Sequence, residues 1–139
     1  MHTKGIAWVR VIVAGVLTEA SIVVVIAAAV TVYRYALSAT PAETEVFSAR
    51  VGYYVGVFGG APAAFAFALW VGRSLRGSFL VKGVLVGCVA ALLHLSLFAA
   101  SGMGFQVAYV IADALKVVGG ALGGYAAQRR AARSGGTVA

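Results

Sequence analysis

Four long apolar stretches separated by short polar ones organise this chain: roughly residues 7–33, 51–71, 81–100 and 105–127. Each is close to or beyond the ~20 residues an α-helix needs to cross a bilayer. None shows the strict two-residue alternation of a barrel strand, and all are too long for one. The expectation is a single all-α domain over residues 1–139, an integral membrane bundle of four transmembrane helices joined by loops at 34–50, 72–80 and 101–104. The first stretch opens on His2 and Lys4 like a signal peptide. Its apolar run is far longer than the roughly 7–15 residues of such a segment, and Glu19 sits in its middle, so it is read as a retained helix.

Composition agrees: 62% of residues are hydrophobic and 11% charged, with mean hydropathy +0.97. A soluble domain carries about 25% charged residues. The net charge of +7 does not form the basic, aromatic-interleaved stripe of a nucleic-acid binder, so no nucleic acid is expected. The basic residues instead bracket the apolar stretches. Lys4 and Arg10, then Arg73, Arg76 and Lys82, then Arg129, Arg130 and Arg133 fall on one side, against Arg34 and Arg50 on the other, where Glu43 and Glu45 offset them. By the positive-inside rule both termini are expected in the cytoplasm, with the protein multi-pass in the plasma (inner) membrane. Trp8, Trp70 and Tyr125 suit the inner interface, and Tyr33, Tyr35, Tyr53 and Tyr54 the outer. The tail at 128–139 is expected to be cytoplasmic, and disordered from Ser134. The basic rim also suits anionic lipid headgroups.

Lipid supplies no hydrophobic drive for helices to associate, so small residues mark the faces that pack. In the fourth stretch Gln106, Tyr109, Asp113, Lys116, Gly120, Gly123 and Ala127 recur at three- and four-residue steps and share one face. The overlapping pairs Gly119/Gly123 and Gly120/Gly124 allow a close crossing. Gly83, Gly87, Ala90 and His94 make a similar stripe in the third stretch. In the second, Gly59, Gly60 and Pro62 predict a bend or hinge, because proline lacks the N–H that a helix interior uses.

The candidate chemistry lies at mid-depth. At 1.5 Å of rise per residue, Glu19 is about 16 Å into the membrane, Lys116 and His94 about 18 Å, and Asp113 about 22 Å. A charge there costs at least ~2.5–3.5 kcal/mol, so these groups should face the interior and pair. Asp113 and Lys116, three apart, can contact each other directly. Glu19 is expected to join them if the first and fourth helices touch, and an imidazole such as His94 suits proton handling if a water path reaches it. Thr18 and Ser21 should bond to their own helix backbone.

No nucleophile–base pair, phosphate loop or paired aspartate is present, and an enzyme is not expected. With one cysteine, Cys88, and two histidines, neither a metal centre nor another cofactor is expected. In size, in its four helices and in the mid-span Glu19, the chain resembles the small multidrug transporters. It departs from them in its longer first loop, the Asp113/Lys116 pair and its basic asymmetry, so no site is carried over. The leading expectation is transport or channel-like passage of an ion, proton or small solute through a polar cluster of Glu19, His94, Asp113 and Lys116, in a homo-oligomer. The alternatives are a non-catalytic assembly subunit of a larger membrane complex, or a binder of lipid or another hydrophobic ligand.

Overall fold

The computed structural model describes residues 8–74, 78–101 and 106–135, and among these every regular element is a helix. In chain order they are α1 (Trp8–Ala36), α2 (Pro41–Phe58), α3 (Gly60–Ser74), α4 (Phe79–Ser101) and α5 (Val107–Gly135). α1, α4 and α5 are each long and apolar enough to cross a membrane, and α2 with α3 forms a bent pair that qualifies as one further span. The protein is thus an all-helical membrane bundle with three to four candidate spans.

The largest departure from the sequence expectation is the first loop. Residues 34–50 were expected to connect two spans, but helix resumes at Pro41 and only Leu37–Thr40 lies between α1 and α2. Local hydrogen bonds explain this turn. The amide of Ala39 donates to the carbonyl of Arg34 at 3.1 Å, and Ser38 takes the left-handed φ of 49° that glycine usually supplies at a helix end. Thr40 then caps α2: its hydroxyl accepts from the Glu43 amide, while its own amide donates back to the Glu43 carboxylate at 2.8 Å. Pro41 occupies the first turn, where a missing N–H costs nothing. This is a capping box, and its Thr-x-x-Glu spacing is visible in the sequence.

Thr40→Ala should destabilise the protein by about 1 kcal/mol, read as a lower thermal midpoint in detergent; an unchanged midpoint would show that the box does not hold the turn. The bonds from the Thr40 side chain and then its backbone hold the Glu43 carboxyl below its usual range. A carboxyl whose pKa is lower in the folded than in the unfolded chain stabilises the fold above its unfolded pKa. That contribution disappears as the pH falls through the lowered value.

The expected second span over 51–71 is corrected in the same way, because its helix starts at Pro41 and breaks at Gly59. The axes of α2 and α3 diverge by 45°. Pro62 has no N–H to give the carbonyl of Phe58, so the ladder is interrupted where α3 begins. Gly59 closes α2 by donating to Val55, at 2.8 Å.

α5 is the centre of the bundle, lying against both α3 and α4, while α1 packs on α3 and α4 from the other side. α1 and α5 stand on the diagonal and nowhere bring their Cα atoms within 8 Å. The apolar core gathers at one end around Val11, Ala14, Ala68, Val71 and Val86. Large apolar side chains such as Val9, Val24, Leu92, Leu97 and Leu122 point outward, as a lipid-facing surface requires.

The glycines explain how closely the helices sit. A Cβ on Gly119 or Gly123 would fall on the backbone carbonyl of Ala61 or Phe65 in α3. A Cβ on Gly120 or Gly124 would fall on that of Gly83 or Phe79 in α4. The two overlapping glycine pairs therefore serve two different neighbours, one face each. Gly83 and Gly87 receive α5 reciprocally, meeting the backbone of Gly120 and of Lys116–Val117. All these glycines are consumed inside the chain.

Other boundaries shift as well. α5 runs to Gly135, beyond the expected end at 127, because Ala, Gln and Arg are good helix formers even where they are too polar for lipid. The expected disorder from Ser134 fails at Ser134 itself, which is helical; residues 136–139 lie outside the described residues. Of the expected turns, Ser101 belongs to α4 and 102–104 lie outside the described residues, as do 75–77 of the second loop. Lys82, assigned to the basic rim, is instead buried at 6% exposure in the first turn of α4.

Candidate functional site

Asp113 and Lys116 stand one turn apart on the inward face of α5, and the Lys116 ammonium lies 3.2 Å from Asp113 Oδ1. Lys116 has no solvent exposure. Two glycines make this possible. Gly87 of α4 lets the α5 backbone approach at Lys116–Val117, and Gly60, the first residue of α3, leaves room for the lysine stem. A methyl at Gly60 would sit 2.7 Å from Lys116 Cγ. The break between α2 and α3 is thus also the wall along which the lysine runs.

From there Lys116 crosses the bundle to α1, placing Nζ 2.7 Å from Glu19 Oε1. Glu19 was expected to join the pair if the first and last helices touched. They do not; a long side chain spans the diagonal instead. On the far side of Asp113, His94 Nδ1 of α4 lies 2.8 Å from the same Oδ1 that faces the lysine. The chain of contacts therefore runs Glu19, Lys116, Asp113, His94, across three helices. All four candidate residues meet in one cluster.

Exposure is lowest at Lys116 and highest at His94: 0% for the Lys116 side chain, 11% for those of Glu19 and Asp113, and 20% for that of His94. The Tyr109 ring stands edge-on to His94 at 5.8 Å and leans on Phe98 at 4.1 Å, completing an aromatic wall at this end. Tyr109 already belongs to the polar stripe of α5. Phe98 carries no signal in the sequence beyond lying four residues after His94. Gly15, the lone glycine of α1, also escaped notice: a Cβ there would collide with the Val89 side chain, so it sets the crossing that brings Glu19 beside α4. Thr18 and Ser21 bond to the carbonyls of Ala14 and Leu17.

Two formal negative charges face one ammonium, so with His94 neutral the cluster carries one uncompensated negative charge. Its hydrogen bonding is incomplete in the same sense. Asp113 Oδ2 is buried without a hydrogen-bond partner. Glu19 Oε1 touches the ammonium at ion-pair distance, but off the direction that a hydrogen bond needs. Buried acceptors are seldom left this way. Among the described residues no group of three or more His, Cys, Asp or Glu side chains is placed to hold a metal ion.

Two cavities lie away from this cluster. Both meet at the stacked Tyr33–Phe47 pair between α1 and α2; one of about 340 Å³ reaches Glu43 and Arg50, and one of about 530 Å³ is walled by Ala28, Val32 and Leu37. Comparison with protein-family models, curated proteins and solved structures found no match.

Proposed function

We propose that this is a small membrane transport protein that moves an ion or small solute through the Glu19–Lys116–Asp113–His94 cluster. The observation that carries the reading is the composition of the cluster: two carboxyl groups buried in mid-bundle against one amine, with one carboxyl oxygen lacking a hydrogen-bond partner. Ionisable groups in membrane helices are expensive and are retained where a pathway or relay needs them. A purely structural tie would be satisfied by one carboxylate and one lysine.

In this reading α2 and α3 together form one span, giving four, and both termini face the cytoplasm of the plasma membrane. The charge distribution supports this orientation. Arg10, Arg73 and Arg129, with Arg130 and Arg133 beyond, lie at the bundle end where α1 and α4 begin and α3 and α5 finish; Glu43, Glu45 and Arg50 lie at the other. So small a bundle barely encloses a path, and a homo-oligomer would complete it. Gly52 and Gly56 of α2 are a glycine pair at which an added Cβ would meet no other helix within 4 Å among the described residues, and we take that face as the docking surface for another copy.

The same free pair favours the second reading, an assembly subunit docked on a different membrane protein. Reconstitution in liposomes separates the two. Glu19→Gln should reduce ion or solute flux strongly while the protein still folds, and native-state mass measurement should show a homo-oligomer. A chain that purifies with a fixed partner and conducts nothing would leave the assembly reading in its place.

A further inference from the structure

We infer that the species bound at the cluster is a proton, carried as imidazolium on His94 against Asp113; this rests on the transport reading for its purpose but not for its chemistry. Asp113 Oδ1 already faces the Lys116 ammonium, and an ionised carboxylate only accepts hydrogen bonds. With Asp113 ionised, the 2.8 Å contact is one in which His94 Nδ1 carries the hydrogen and donates it. The neutral ring then has its lone pair on Nε2, and that is the loading position. A hydronium gives its proton to Nε2 and leaves as water; the cluster goes from one negative charge to none. No other bond changes.

A metal cation fits less well. Hard cations require several oxygen ligands around one point. Here the point on which Glu19 Oε1 and Asp113 Oδ1 converge is filled by the Lys116 ammonium. A proton needs one lone pair only. His94 is also the most exposed member of the cluster, with a 20% exposed side chain.

The surroundings of His94 add no rival charge. α5 presents Asp113, Tyr109 and, through Asp113, Lys116; α1 presents Glu19, already paired with Lys116. α3 has one charged residue, Arg73, at its opposite end from Gly60. On α4 itself Lys82 and Cys88 lie nearer the other end of the helix.

The test uses the full chain in liposomes loaded with a pH-sensitive dye, under an imposed potential, together with nitrogen NMR of a His2→Gln variant in which His94 is the single imidazole. On acidification, the ring should pass from an Nδ1-protonated to a doubly protonated form. Proton influx should persist when sodium is replaced by choline and fall by roughly 100-fold in His94→Gln, the scale of a lost positioned proton carrier. A ring that stays singly protonated while the protein remains folded overturns the proton assignment. So does a flux that needs sodium and ignores His94→Gln, although transport would then stand. A ring that loads its proton in a protein that passes no ion or solute upholds the site and sinks the transport reading.

Discussion

Lys116→Met should destabilise the protein by about 3–5 kcal/mol, the usual cost of removing one partner of a buried ion pair. Lys116 is wholly buried and is the only cation in contact with Glu19 among the described residues. Its loss strands two carboxylates in a low-dielectric interior, with at most one imidazole to offset them. The penalty comes from those abandoned charges more than from the lost attraction, so it should be recoverable. Glu19→Gln added to Lys116→Met should restore part of the stability, with a coupling energy of about 1–3 kcal/mol in a double-mutant cycle. Strictly additive losses, measured as unfolding midpoints in the same detergent, would mean that the two side chains are not paired in the folded protein.

Gly120→Val is the second large effect expected. A Cβ there meets backbone, the carbonyl of Gly83 and the amide of Gly87, and backbone cannot rotate away. Overpacking usually costs about 1–3 kcal/mol, occasionally more, and this position belongs at the upper end because α4 and α5 would have to separate along their length. Gly52→Ala supplies the internal control. An added Cβ there meets nothing within 4 Å on another helix among the described residues, so a monomer should gain about 0.5–1 kcal/mol from replacing a mid-helix glycine. If Gly52→Ala or the bulkier Gly56→Leu instead lowers the oligomer mass without unfolding the chain, the α2 face is an interface. Gly120→Val as stable as wild type would refute the packing of α4 on α5.

How much of this was legible in the sequence depends on the range of the signal. α1, α4 and α5 announce themselves because lipid demands a long apolar run, and that demand is local. The face of α5 was readable too, since Asp113, Lys116, Gly120 and Gly123 repeat at helical spacing. Depth counting brought Glu19, His94 and Lys116 to one level, and it required only the rise per residue. It could not place α1 relative to α5, because which helices are neighbours is decided by close packing between distant segments. For the same reason the sequence could not assign Gly119 and Gly123 to α3 and Gly120 and Gly124 to α4. The start of α2 is a different case. Thr40, Pro41 and Glu43 spell out a helix start, but 41–50 is too polar to resemble a span, and hydropathy measures what crosses a membrane, not where a helix begins. Lys82 misled in the opposite direction, because a basic residue beside an apolar run is usually a rim charge and here is a buried one.

The diagonal reach of Lys116 also sets an order of assembly during synthesis. Of the three long helices, α1 precedes the others and is the most apolar, whereas α5 follows them and is the least apolar. Until it arrives, Glu19 has no cation, and the walls that will guide the lysine, Gly60 and Gly87, face an empty slot. A nascent chain halted before α5 therefore lacks the lysine that pairs with Glu19 in the finished fold. Insertion of the last helix neutralises the first, and lifetime in the cell should change abruptly at that step.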